Sequence, residues 1–144
     1  MQTSKQLLAM LALVSGCVAQ SITIVNKCAQ TIYIEKTDAD YDAETISLGP
    51  GRSIGQSLFN TGNSIGISLS WNFYATTTPK LIFGYTVNTN NGQTYYSAGT
   101  TDGNPFASLG FEVTGTNSAC PKINSANGVT YACVDSSSLT LTTC

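Results

Sequence analysis

The sequence contains no histidine in 144 residues. That absence excludes a Ser/His or Cys/His nucleophile pair, a histidine-ligated metal and a histidine pH switch. Charge is scarce as well: six Lys and Arg stand against eight Asp and Glu, a net charge of −2. Six scattered cations give no basic footprint for neutralising phosphates, so no nucleic-acid partner is expected. No apolar stretch reaches the ~18 residues that a membrane helix needs, so no membrane partner is expected either. What the chain holds in quantity is Gly, Ser, Thr and Asn, 60 of its 144 residues. That is the profile of a turn-rich β protein.

The first residues read as an address. A mildly basic start ending at Lys5 is followed by an apolar run from Leu7 to Val14, and Cys17-Val18-Ala19 supplies small residues before a cut. Residues 1–19 are read as a cleaved signal peptide, and residues 20–144 as one small domain. A rival cut exists, because Val14-Ser15-Gly16-Cys17 also fits a bacterial lipobox that would leave Cys17 acylated. Removing residues 1–19 leaves four cysteines, Cys28, Cys120, Cys133 and Cys144, an even count suited to an oxidising compartment. Four cysteines allow three pairings. The spacing favours Cys120 with Cys133 as a local loop and Cys28 with Cys144 as a clamp on the two ends of the domain. No CxxC pair exists, so no metal site is expected, and no cofactor.

Through residues 20–144 the apolar period is two rather than 3.6. Ile22 and Ile24, Ile32 and Ile34, the run Ile65, Ile67, Leu69, Trp71 and Phe73, and the run Leu81, Phe83, Tyr85 and Val87 each put their apolar residues on one face. Further strands are expected at 93–98, 110–114, 129–134 and 139–143. Asn90-Asn91-Gly92 between two such runs predicts a hairpin. The expected fold is all-β, an antiparallel β-sandwich with Greek-key style connections, stapled by two disulfides.

Three stretches resemble thaumatin-like proteins. Ser21-Ile-Thr-Ile-Val-Asn-Lys-Cys28 is similar to the family's opening strand ending in Asn-x-Cys. Leu48-Gly-Pro-Gly-Arg-Ser53 is similar to its Leu-x-Pro-Gly-x-Ser turn. Tyr95-Tyr-Ser-Ala-Gly-Thr-Thr-Asp-Gly-Asn-Pro-Phe106, followed by Cys120-Pro121, resembles the fungal secreted branch known as the Blastomyces yeast-phase-specific protein family. The resemblance implies a thaumatin-like sandwich, a Cys28–Cys144 bond and secretion from a fungus. In larger thaumatin-like proteins an Arg and several carboxylates line a cleft associated with β-glucan binding and antifungal activity. Here the family's Glu position falls near Gly84. The family's Asp position falls at Ser97, or at Tyr96 one register earlier, and only Asp102 survives clearly.

The candidate binding residues are the acidic stretch and the outward tyrosines. Glu35, Asp38, Asp40, Asp42 and Glu44 hold five of the eight carboxylates within ten positions. Asp38, Asp40 and Asp42 match the first three ligands of a calcium loop, but Ala43 stands where its turn needs Gly and Gly49 where its bidentate Glu belongs. The stretch is read as a solvated acidic loop, with a cationic partner such as a host peptide or a chitosan-like polymer as its binding role. Period-two counting turns Tyr33, Tyr41, Tyr74 and one of Tyr95 and Tyr96 outward, and places Trp71 and Phe73 in the core. Asp102-Gly103-Asn104-Pro105 is read first as a turn. No catalytic pair stands out, so the expectation is a non-enzymatic, monomeric, extracellular protein. Its expected role is that of an effector or virulence-associated binder of a host or cell-wall protein. The alternative is a β-glucan- or chitin-binding antifungal or wall protein, held at the cell wall.

Overall fold

A computed structural model describes residues 20–37, 43–59, 61–134 and 137–144. Among the described residues there is no helix. The strands are β1 (Ser21–Asn26), β2 (Ile32–Thr37), β3 (Ala43–Leu48), β4 (Ser53–Ser57), β5 (Asn63–Ser68), β6 (Lys80–Asn88), β7 (Gln93–Thr101), β8 (Phe111–Gly115), β9 (Thr130–Val134) and β10 (Leu139–Thr143). They form a four-stranded sheet in the order β4-β1-β10-β8 and a six-stranded sheet in the order β3-β2-β5-β6-β7-β9. Period-two alternation decides which side chains lie between the sheets. Ile22 and Ile24 of β1, Leu139 and Leu141 of β10, and Leu81, Phe83, Tyr85 and Val87 of β6 are all buried in one core.

The longest ladder is the β6–β7 hairpin, from Lys80↔Thr101 to Asn88↔Gln93. Its turn carries Gly92 at φ 66, the left-handed conformation for which the Asn-Gly signal is suited. Of the adjacent tyrosines, Tyr96 turns inward and is buried, and its hydroxyl donates to the carbonyl of Pro121. Tyr95 therefore faces outward.

One strand pair departs from the antiparallel expectation. β1 and β10 run parallel, Ile22 beside Leu139 and Asn26 beside Thr143. Their ends are locked by Cys28–Cys144, with Cα atoms 4.9 Å apart across a sequence separation of 116. Cys120–Cys133 joins the crossing segment between β8 and β9 to β9 itself, so both bonds follow the pairing that the spacing favours. Asn26, fully buried, sits where these parts meet. Its Nδ2 donates to the carbonyls of Gln30 and Leu48, its Oδ1 accepts the Cys28 N–H, and its backbone bonds both Gly51 and Arg52. Asn-x-Cys and Leu-x-Pro-Gly-x-Ser, some twenty residues apart in sequence, are thus two sides of one junction.

Two other expectations are corrected. β5 ends at Ser68 and does not run on to Phe73. The Ser68 hydroxyl accepts the Ser70 N–H and donates to Pro79 O, Ser70 Oγ accepts the Asn72 N–H, and Thr78 Oγ1 donates to Asn72 O. These local bonds satisfy the backbone in place of a ladder and reverse the chain. Trp71 consequently stands 74% exposed, not in the core, whereas Phe73 is buried. The acidic stretch is not one loop either: Glu35 lies in β2 and Glu44 in β3, where it meets Lys36 Nζ at 3.6 Å. Asp38, Asp40, Tyr41 and Asp42 lie outside the described residues.

Two predictions follow from this core and its staples. On the chain-entropy model, replacing Cys28 and Cys144 together by Ala should lower stability by about 4–5 kcal/mol, and replacing Cys120 and Cys133 by about 3. Denaturant unfolding of the two variants checks the order. Desolvation, and then Tyr131, raise the pKa of Tyr96, and desolvation raises that of Tyr85 even though the hydrogen bond from the Phe59 N–H opposes it. A raised folded-state pKa means stability that is full below the unfolded phenol value of about 10 and lost as pH climbs through the folded one. The urea midpoint is therefore expected to hold up to about pH 10 and to fall above it, with a shallower fall in Tyr96→Phe. An equal slope in that variant would assign the loss to other groups.

Candidate binding face

The outer face of the six-stranded sheet, away from the core, carries the candidate site. Glu35, Gly66, Ile82 and Gly99 share one register row across β2, β5, β6 and β7. The loop of residues 69–79 folds back onto this row and lays the Phe73 ring on Gly66. A Cβ on Gly66 would lie 2.9 Å from Cε1 of Phe73, with Ile82 close behind. Glycine is needed here for space, because the ring occupies the volume that any side chain would take. The covered row divides the face into two concavities of different chemistry.

The first is a charged pocket of about 320 Å³, whose lining includes Glu35, Phe73, Tyr74, Thr76, Lys80 and Asp102. Lys80, whose side chain is only 12% exposed, donates to Asp102 Oδ2 at 3.2 Å and to Thr78 O at 2.9 Å. Its ammonium also lies 5.7 Å from the centre of the Phe73 ring, within cation–π range. Asp102 reaches it from a turn in which φ is 58 at Asp102 and 112 at Gly103, left-handed geometry that Asp and Gly tolerate. Glu35 Oε2 is out of water and has no hydrogen-bond partner. The Tyr74 hydroxyl is held above the ordinary phenol range by desolvation and then by the charge of the Glu35 carboxylate. Most of the Tyr74 ring is in solvent, at 71% exposure, so the carboxylate is the cause of greater weight. Tyr74 packs edge-on to Phe73 with centroids 6.2 Å apart, and Trp71 stands exposed on the same loop.

The second is a neutral groove of about 550 Å³ whose described lining includes Ser64, Gly84, Thr86, Tyr95, Ser97 and Thr130, and no charged side chain. Gly84 and Ser97 are cross-strand partners. The thaumatin-like resemblance implies carboxylates near Gly84 and at Ser97 or Tyr96, all of which line this groove and none of which carries one. Asn91 Nδ2 donates to the Tyr95 hydroxyl at 2.9 Å and braces that ring.

Of the residues singled out in the sequence, Tyr74 and Asp102 come together in the charged pocket. Glu44 does not line it and is engaged with Lys36. Asp38, Asp40, Tyr41 and Asp42 are outside the described residues. The sequence reading missed Lys80, the role of Glu35 and the exposure of Trp71. The signal for the last was present in Ser68-x-Ser70-x-Asn72, whose small polar side chains at every second position favour local backbone bonds over a ladder. Among the described residues no group of three or more His, Cys, Asp or Glu could hold a metal ion.

The family profile described as the Blastomyces yeast-phase-specific protein matches residues 8–144. No curated protein matches the sequence. Among solved structures, the protein elicitor MoHrip2 from Magnaporthe oryzae superposes with a TM-score of 0.73 at 21% identity, over 88% of this chain and 99% of that one. The thaumatin-like xylanase inhibitor TLXI superposes with a TM-score of 0.63 at 15% identity, over 85% of this chain and 98% of that one. At these identities the likeness is one of fold, and the fold is thaumatin-like.

The seating of Phe73 on Gly66 can be tested directly. Gly66→Ala forces the ring off the sheet and is expected to cost about 1–3 kcal/mol, as overpacking does. Gly99→Ala, whose new Cβ would meet nothing within 4 Å, is expected to stay within about 0.5 kcal/mol of wild type. Urea unfolding of both variants measures the difference.

Proposed function

The chain belongs to the Blastomyces yeast-phase-specific protein family, and we propose that it is a secreted, non-enzymatic, effector-like protein that acts by binding a protein partner outside the cell. In this reading residues 1–19 are the signal peptide, and residues 20–144 are the mature, monomeric domain. The observation that carries the reading is the pair of large aromatic side chains held out on one anchored loop, Trp71 at 74% and Tyr74 at 71% exposure. Exposed aromatics on a braced segment, beside a pocket with fixed charges, are the composition of a protein-binding hot spot. Tyr74 and Asp102 are its binding residues within the pocket. Catalysis is disfavoured because Asp102 is committed to Lys80, leaving Glu35 without a free carboxylate to share acid and base roles. The names of the two fold neighbours, an elicitor and an inhibitor of a xylanase, are in keeping with a protein that works by contact.

A second reading, binding of β-glucan or chitin, is favoured by the neutral, hydroxyl-lined groove. The two readings separate in one experiment. Wild type, Trp71→Ala and Thr130→Arg, the last placing a charge at the exposed edge of the groove, are compared on insoluble β-1,3-glucan, on chitin and on immobilised host extracellular proteins. The expected outcome is no retention on either polymer and retention on one protein that falls at least tenfold in Trp71→Ala. Polymer retention that Thr130→Arg abolishes and Trp71→Ala leaves intact would overturn the protein-binding reading in favour of the carbohydrate one.

A further inference from the structure

The charges of the first pocket do not balance. Lys80 and Asp102 neutralise one another at 3.2 Å, and the remaining donors of Lys80 are directed at Thr78 O and toward the Phe73 ring. Among the described residues Glu35 has no cation paired with it, and its Oε2 is removed from water without a hydrogen-bond partner. A buried acceptor without a partner is unfavourable, more so when it is ionised, and calls for a donor that arrives from outside. The cavity in front of it, about 320 Å³, is open and flanked by the Tyr74 ring.

We propose that this pocket seats an arginine side chain of the protein partner, its guanidinium paired with Glu35 and laid against the Tyr74 ring. The inference rests on the protein-binding reading above and names the chemistry of the residue that would enter the same site. Four observations select that group. Among the described lining residues two carboxylates face one ammonium, a balance that disfavours an anion. One open carboxylate is too few ligands for a metal ion. The guanidinium presents a planar fork of donors matched to a carboxylate, whereas an ammonium is a compact and strongly hydrated point charge. Its flat faces stack on aromatic rings, and Lys80 already shows a cation held over an aromatic ring in this pocket. Trp71, on the same loop, would contact the partner surface around the arginine.

The test is an NMR titration of the protein secreted from the full-length chain, using N-acetyl-argininamide as the probe. N-acetyl-citrullinamide, of the same shape without the charge, and N-acetyl-lysinamide serve as comparisons. Saturable shifts at Glu35 and Tyr74, at least tenfold tighter for the arginine probe than for citrulline and weaker for lysine, are expected. Glu35→Gln, checked as folded by its unchanged spectrum elsewhere, is expected to weaken arginine binding at least tenfold, and Tyr74→Ala to weaken it severalfold. Equal binding of citrulline, an unchanged constant in Glu35→Gln, or no saturable shift would each overturn the proposal. The protein-capture comparison separates this failure from that of the broader reading. A partner lost by Trp71→Ala but kept by Glu35→Gln refutes the arginine seat alone, whereas a partner kept by both variants refutes the protein-binding face itself.

Discussion

The structure is organised around one buried amide. Asn26 closes β1, receives the Cys28 N–H on its oxygen and spends both amide hydrogens on the carbonyls of Gln30 and Leu48. Its backbone holds the β3–β4 turn at Gly51 and Arg52. Each such bond contributes only about 1 kcal/mol net, but leaving their buried partners unmade costs more than making them gains. The amide thereby fixes where the first strand stops, where the second begins and how the third turns toward the fourth. The Cys28–Cys144 bond adds a covalent lock beside it. Everything on the outer face, including the placement of Glu35 in β2, inherits its position from this junction through the β2–β3 and β2–β5 ladders.

Much of this was legible in the sequence, and the failures have physical causes. Period-two runs located β1, β2, the body of β5 and β6 because each buries one face against the facing sheet. β3 and β4 carried no such signal because they are edge strands, with alternation that is mostly exposed in Ala43–Leu48 and Ser53–Ser57. The parallel β1–β10 pair could not be read, since nothing local specifies which way two distant strands run. Trp71 was misplaced because apolar alternation continued past the point where Ser68, Ser70 and Thr78 had diverted the backbone. Tyr74 and Asp102 were found one at a time. That they share a pocket with Glu35 and Lys80 is a property of the register across four strands, and no spacing in the chain reports it.

The outer face shows how a thaumatin-like frame can carry a different chemistry. Gly84 and Ser97 make the centre of the sheet neutral, while Glu35, Lys80 and Asp102 concentrate charge at its other end. The partition is maintained by Phe73 lying on Gly66, a contact that fills space and makes no polar bond. A sheet face that would otherwise be one shallow surface becomes two sites of different character, one of hydroxyls and one of paired and unpaired charges beside exposed rings.

The parallel pairing of β1 with β10 also dictates an order of assembly as the chain is synthesised. β5, β6 and β7 are sequence neighbours joined as successive antiparallel pairs, so the middle of the larger sheet can form before the rest of the chain has been made. The smaller sheet cannot. Its two central strands are Ser21–Asn26 and Leu139–Thr143, and β1 must wait with Ile22 and Ile24 uncovered on one side until residues 139–144 have been made. The first strand synthesised is among the last to be completed, and the Cys28–Cys144 bond can close only once both ends of the domain are present.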